Sequence, residues 1–152
     1  RGLDFDHMVV PSGSAGTHAG VLLGMLGCNM NIPVTGIGVN RKKPVQEEAV
    51  YSLMLETAGL LGVGASLPRE AVVAYDDYVG PGYSLPTPAM MEAVRLLAST
   101  ESILLDPVYS GKAMSGLIDL VRKDHFTAGS NVLFLHTGGS PALYAYLDEF
   151  RQ

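Results

Sequence analysis

"PSGSAGTHAG", residues 11–20, follows the short apolar run Met8-Val9-Val10 and opens into "VLLGML" at 21–26. An apolar run, a glycine-rich turn and a longer apolar stretch predict a buried strand handing over to a helix at 15–27. Gly13, Gly16 and Gly20 are spaced G-x-x-G-x-x-x-G, with Ser14 and Thr17 between them and Ser12 just before. Glycines let the backbone approach an anion, several N–H groups converge, and the helix N-terminus adds a partial positive charge. The spacing is not the G-x-G-x-x-G dinucleotide fingerprint, and the loop lacks the Lys-Ser/Thr pair of a Walker A motif. On spacing alone two readings stay open, a phosphate cradle and a merely tight strand–helix turn.

Outward from this loop the pattern repeats. "IPVTGIGV" (32–39) reads as a second strand, and Pro44 suits the first position of a helix running to about residue 61. The apolar residues Val45, Ala49, Val50, Leu53, Met54, Leu60 and Leu61 define the expected buried stripe of that helix. "AVVAY" (71–75) is a third strand, and Thr87-Pro88 is a helix entry, an N-cap followed by a pre-set φ. Met90, Met91, Val94, Leu97 and Ala98 form one buried stripe; Met114, Leu117, Ile118 and Val121 form another. "NVLFLH" (131–136) is the clearest strand, and "TGGSPALYAY" again gives strand, glycine turn, helix. Gly20 and Gly24, four apart, imply a tightly packed first helix.

Strands alternating with helices predict a three-layer α/β/α architecture with a mainly parallel sheet. In such sheets ligands bind outside the carboxyl ends of the strands. The glycine turns at 13–20 and 138–139 both follow strands and are expected on the same edge.

The chain has 152 residues, one domain's worth, enough to bury about 68–70% of its unfolded surface. A net charge of −5 argues against a nucleic-acid or anionic-membrane partner, and the basic run Arg41-Lys42-Lys43 is too short to reverse that. No apolar run reaches membrane-spanning length, and the composition is that of a cytoplasmic globular protein. Cys28 is the only cysteine, which rules out an intrachain disulfide or a thiolate zinc site; it is expected to be a small buried residue. A NAD site needs an acidic residue at the end of the second strand, where this chain has Asn40-Arg41-Lys42-Lys43. The chain starts at an arginine and enters a strand within a few residues, as expected of a piece of something longer.

Four segments, "SGSAGTHAG", "GPGYSLPTPAMMEAVRLLA", "LLDPVYSGKAMSGLIDLV" and "LFLHTGGSPALYAY", carry a closer likeness. Collinear and spread over nearly the whole chain, they resemble the C-terminal half of the D-cysteine desulfhydrase and 1-aminocyclopropane-1-carboxylate deaminase family. The resemblance implies a partial tryptophan-synthase-β-like fold (fold type II) and pyridoxal 5′-phosphate as cofactor. It implies that residues 1–152 are the C-terminal portion of the cofactor-binding large domain. The loop Gly13, Ser14, Ala15, Gly16 and Thr17 would then cradle the 5′-phosphate, with His18 packed or hydrogen-bonded behind it. Tyr83 and Tyr109 match tyrosines that such enzymes direct at the substrate, where a phenol helps position a proton transfer. Either tyrosine alone would read more simply as a core residue with a satisfied hydroxyl.

By the same resemblance Ser110 faces the pyridine nitrogen, and Thr137, beside Gly138 and Gly139, lies against the ring. The cyclopropane deaminases have glutamate at the position of Ser110, whose charge keeps the ring nitrogen protonated. A hydroxyl cannot do this in the same way, which tilts the reading toward β-elimination of thiolate or sulfite from a small amino acid. The substrates implied are D-cysteine or, alternatively, L-cysteate; cyclopropane deamination and a non-catalytic scaffold are the competing readings. The Schiff-base lysine of the family belongs to the N-terminal half and is expected outside this chain. Lys112, in "YSGKAM", is expected to have a structural or surface role. The resemblance also implies a homodimer.

Overall fold

Among the described residues four strands make one parallel sheet: β1 (His7–Ser12), β2 (Val34–Gly38), β3 (Val73–Tyr75) and β4 (Val132–Phe134), in the spatial order β3-β2-β1-β4. The helices are α1 (Gly16–Gly27), α2 (Lys43–Leu61), α3 (Pro88–Glu101), α4 (Ser110–Arg122) and a short α5 (Leu147–Phe150). The computed structural model describes residues 2, 4–63 and 67–151.

The period-2 pleat of β1 divides the core. Met8 and Val10 join Val34 of β2 in packing on Leu22 and Leu23 of α1 and on Val50 and Met54 of α2. Val9 and Ile37 point the other way, onto Ala113 and Leu120 of α4. Gly116 admits this approach, because a Cβ there would stand 2.8 Å from Ile37 Cδ1. Beyond α4, α3 closes a further cluster through Met90, Met91, Val94 and Met114. The three layers are therefore α1/α2, sheet, and α4 backed by α3, as the alternation of strands and helices predicts. Thr87 caps α3, its hydroxyl accepting the Met90 N–H at 3.1 Å.

Four expectations need correction. Gly20 and Gly24 do not mediate close packing: a Cβ at either would meet nothing within 4 Å. Cys28 is exposed, because α1 ends there at the surface. The buried line of α2 is Gln46, Val50, Met54 and Ala58, whereas Val45, Leu60 and Leu61 face outward. That line follows the four-residue helical repeat through a glutamine whose amide has partners in the core. The second and third strands are shorter than expected, and β4, the clearest in sequence, spans three half-buried residues because only β1 pairs with it among the described residues. After the second glycine turn comes a 3-10 helix (Ser140–Tyr146) before α5. No helix of the described residues is long and apolar enough to cross a membrane.

Candidate functional site

The strand order reverses beside β1. Through α1 and α2 the chain lays down β2 and β3 on one side, then returns by α3 and α4 to place β4 on the other. Such a reversal leaves a crevice at the carboxyl ends of the two strands that part there. The loops leaving β1 and β4 meet in that crevice around a hollow of about 50 Å³, where Gly13, Ser14, Ala15 and Thr17 face Tyr109 and Thr137.

Ala15 is the N-cap of α1 and takes a left-handed backbone, φ 78°, with no side chain capping the helix and no acidic residue in its first turn. The first-turn N–H groups therefore have no intrahelical acceptor. A left-handed alanine costs on the order of 1 kcal/mol and persists where its surroundings require it. Gly13 is closely enclosed: a Cβ there would sit 2.9 Å from the Tyr109 ring across the hollow and 3.1 Å from Val39. A Cβ at Gly16 would meet nothing, so this end of the cradle is open.

Behind the loop runs a buried polar chain. Arg41 donates to the Gly13 carbonyl at 3.2 Å and faces Gln46 Oε1 at 3.5 Å. Gln46 Nε2 donates to Ser12 Oγ at 2.9 Å, which leaves the Ser12 hydroxyl to donate to His18 Nδ1 at 3.0 Å. His18 is fully buried, and burial pulls it down to about 4, so the ring is neutral. Its Nε2 has no partner. The ring is close against β2, where a Cβ on Gly36 would come within 2.5 Å of Nδ1. His18 thus packs and hydrogen-bonds behind the loop, as expected.

On the opposite wall Tyr83 and Tyr109 share a 2.6 Å hydrogen bond between their hydroxyls. That bond, then burial, then the electrostatic influence of Tyr83 and Asp106, pushes the Tyr109 phenol up to about 12. Both side chains are more than a third exposed and so are not core tyrosines. Asp106 organises the start of α4. It accepts the N–H groups of Val108, Tyr109 and Ser110, all within 2.8 Å, and the Ser110 hydroxyl at 2.6 Å. Ser110 Oγ in turn accepts the Asp106 N–H at 2.8 Å. Ser110 is thereby held by Asp106 on two sides, a buried and uncharged group in the wall.

The second glycine turn packs on the same carboxylate. Gly138 and Gly139 have φ of 90° and 87°, and a Cβ on Gly139 would come 3.0 Å from the Asp106 side chain. His136 donates from Nε2 to the Leu104 carbonyl at 3.0 Å and accepts the Gly138 N–H on Nδ1 at 3.0 Å. Gly13 to Ala15, Thr17, Tyr109 and Thr137 therefore converge on one hollow. Tyr83 reaches it through Tyr109, while Ser110 and Gly138 lie in the wall behind.

Sequence reasoning missed Arg41, Gln46 and Asp106, and it read Ser12 as a hydroxyl of the loop, whereas Ser12 is bonded to His18 and Gln46 behind it. Asp106-Pro107 is a turn signal legible in the sequence, an aspartate whose carboxylate accepts the N–H groups two and three residues on. The spacing of Gln46 from Val50, Met54 and Ala58 was a second. Arg41 left none, since its contact joins loops 28 positions apart.

A family model for pyridoxal-phosphate dependent enzymes matches residues 1–138. The chain belongs to that family. It is 48% identical over 139 residues to D-cysteine desulfhydrase of Salmonella paratyphi C (strain RKS4594) and 47% to that of Salmonella newport (strain SL254). Each match covers 91% of this chain and 42% of the relative, so the chain spans under half the length of these relatives. Among solved structures, one described as an ACC deaminase homologue superposes with a TM-score of 0.88 at 38% identity, over 99% of this chain and 45% of that one. An L-serine ammonia-lyase from Rhizomucor miehei shares the fold at TM-score 0.59 and 20% identity, over 96% of this chain and 49% of that one.

The residues fit the family's cofactor. Uncapped amides, neutral hydroxyls on Ser14 and Thr17, and no acidic side chain in the first turn suit a phosphate dianion at the start of α1. The open flank at Gly16 leaves it room.

Proposed function

We propose that this chain is the C-terminal part of the cofactor-binding domain of a pyridoxal-phosphate-dependent lyase. Its reaction would be β-elimination from a small sulfur-bearing amino acid, with D-cysteine giving pyruvate, ammonia and sulfide. The observation that carries the reading is the meeting of the uncapped α1 N-terminus with Tyr109 and Thr137 at the reversal of strand order. Bound there, the cofactor would supply the electron sink that lets the substrate lose its α-proton and its β-substituent.

In this proposal Ser14 and Thr17, with the amides of residues 15–17, hold the phosphate, and Thr137 and Gly138 bound the ring. The Tyr109 phenol stays protonated at neutral pH, so it acts as a donor: it orients the substrate or delivers a proton to the departing sulfur. Tyr83 holds the other end of that hydrogen bond. Ser110 places an uncharged oxygen, tied to Asp106, where the resemblance puts the pyridine nitrogen. No charge there means a weaker sink, sufficient to expel thiolate or sulfite and poorly suited to opening a cyclopropane. The lysine that binds the cofactor is assigned to residues outside this chain, and the full-length enzyme to a cytoplasmic homodimer. Exposed Leu96, Ile103 and Leu104 offer apolar surface for the dimer contact.

The test is product analysis on the full-length enzyme. Pyruvate and sulfide from D-cysteine support the reading. Sulfite from L-cysteate moves the assignment within the same elimination chemistry. Only 2-oxobutyrate, from 1-aminocyclopropane-1-carboxylate, would overturn the argument from Ser110. A purified protein without cofactor absorbance, even after incubation with pyridoxal phosphate, would make it a scaffold.

A further inference from the structure

Lys112 sits in the first turn of α4, three residues after Tyr109, and is the largest fully buried side chain among the described residues. Its ammonium donates to the carbonyls of Val79 and Gly82, each at 2.7 Å. Among the described residues no carboxylate pairs with it. A buried ammonium is costly, and burial pushes Lys112 below the usual lysine range. A neutral donor would tie down one carbonyl at lower cost, but the ammonium spans two carbonyls three residues apart.

The start of the segment bearing those carbonyls is anchored separately, by Tyr78 Oη donating to Asp119 Oδ2 of α4 at 2.7 Å and by Asp76 accepting the Lys43 N–H at 3.1 Å, whereas the turn itself is loosely tied. Gly80 and Ser84 are left-handed, at φ 68° and 61°, and the internal hydrogen bonds Val79 N to Asp76 O and Leu85 N to Gly82 O are both 3.3 Å. One outside contact, Tyr146 Oη to the Ser84 carbonyl at 2.6 Å, reaches the far side. Tyr83 follows Gly82 directly, and its hydroxyl meets that of Tyr109 at the start of α4, so between the Tyr78–Asp119 bond and this contact the ammonium of Lys112 is what ties the backbone of the turn to α4.

We propose that Lys112 is a positioning residue, whose ammonium pins the 79–82 turn to α4 and thereby sets the Tyr83 hydroxyl against that of Tyr109. The proposal rests on reading the two tyrosines as active-site groups, and it extends that reading to a residue that touches neither substrate nor cofactor.

The experiment uses the full-length holoenzyme and its apo form, with Lys112→Met, Tyr83→Phe and the double variant. The first readout is the tyrosinate absorbance of Tyr109, isolated by subtracting the same background carrying Tyr109→Phe. The groups facing Tyr109 are Tyr83 and Asp106. In the wild type Tyr109 is expected to titrate at about 12, raised first by its bond to Tyr83. In folded Lys112→Met it moves toward the ordinary value of about 10, as in Tyr83→Phe. The second readout is kcat: Lys112→Met lowers it about a hundredfold with cofactor affinity retained, and adds nothing further on the Tyr83→Phe background.

A purely structural lysine would reduce thermal stability, leave the Tyr109 titration in place and add its effect to that of Tyr83→Phe; either result overturns the proposal. If Lys112→Met does not fold, Lys112→Gln, which keeps a donor on a shorter stem, is read on the same two measures. If Tyr83→Phe and Tyr109→Phe leave kcat unchanged, the active-site reading fails, while the titration still decides whether Lys112 positions Tyr83.

Discussion

Gly13 has no room for a side chain. A methyl there would press on the Tyr109 ring and Val39, so Gly13→Ala must move either the phosphate loop or the wall opposite. Overpacking of this kind costs about 1–3 kcal/mol, and cofactor titration of the full-length enzyme should show affinity about tenfold lower or worse. His18 makes a different prediction. Its pKa is about 4 in the folded protein against an ordinary 6.5, so the unfolded chain takes up a proton that the native core refuses. Above pH 6.5 both states are neutral there and stability is at its plateau. As pH falls from about 6.5 to about 4 the native state loses about 3 kcal/mol, and no more below that. Urea unfolding at a series of pH values should show the slope, and His18→Gln should flatten it.

Helix α3 depends on one hydroxyl for its start. Thr87→Ala removes the acceptor of the Met90 N–H and should lower stability by about 1 kcal/mol in denaturant unfolding, whereas Thr87→Ser should restore most of it. This cap was readable in sequence because an N-cap is local chemistry. So were the loop at 11–20, the parallel layering and the common edge of the two glycine turns. The burial of Gln46 was not, because its justification is the Ser12 hydroxyl 34 positions away. Cys28 and the glycines of α1 went wrong for a related reason. Small residues on a helix face record that something can approach, but not what does, and within the described residues nothing packs on Gly20 or Gly24. The direct Tyr83–Tyr109 bond is not legible in the sequence, because only the folding of the 76–87 segment over the start of α4 brings together two residues 26 positions apart.

At the scale of the whole molecule, the chain covers 42% of relatives to which it is 48% identical, and the proposed division of labour follows that boundary. These residues anchor and orient, while the residue that binds the cofactor covalently is assigned elsewhere. Given pyridoxal phosphate and D-cysteine, the 152-residue chain should release no sulfide above the cofactor-only control. Borohydride reduction followed by peptide mapping should find no reduced cofactor on Lys112, whose ammonium is held by two carbonyls. A reduced adduct on that residue would overturn both its assignment and the division.

The reversal of strand order has one more consequence, in time rather than space. Thr17 and Thr137, on opposite walls of one hollow, lie 120 positions apart in the sequence. A ribosome adding about 5–20 residues per second separates their appearance by roughly 6–24 seconds. For that interval the glycine loop faces a wall not yet made. At the proposed site, a cofactor captured early would be held by half a cradle, and firm retention would begin when β4 docks beside β1. Pyridoxal phosphate should therefore stabilise the finished sheet without hastening its assembly, and cofactor retention should report that the last strand has found its place.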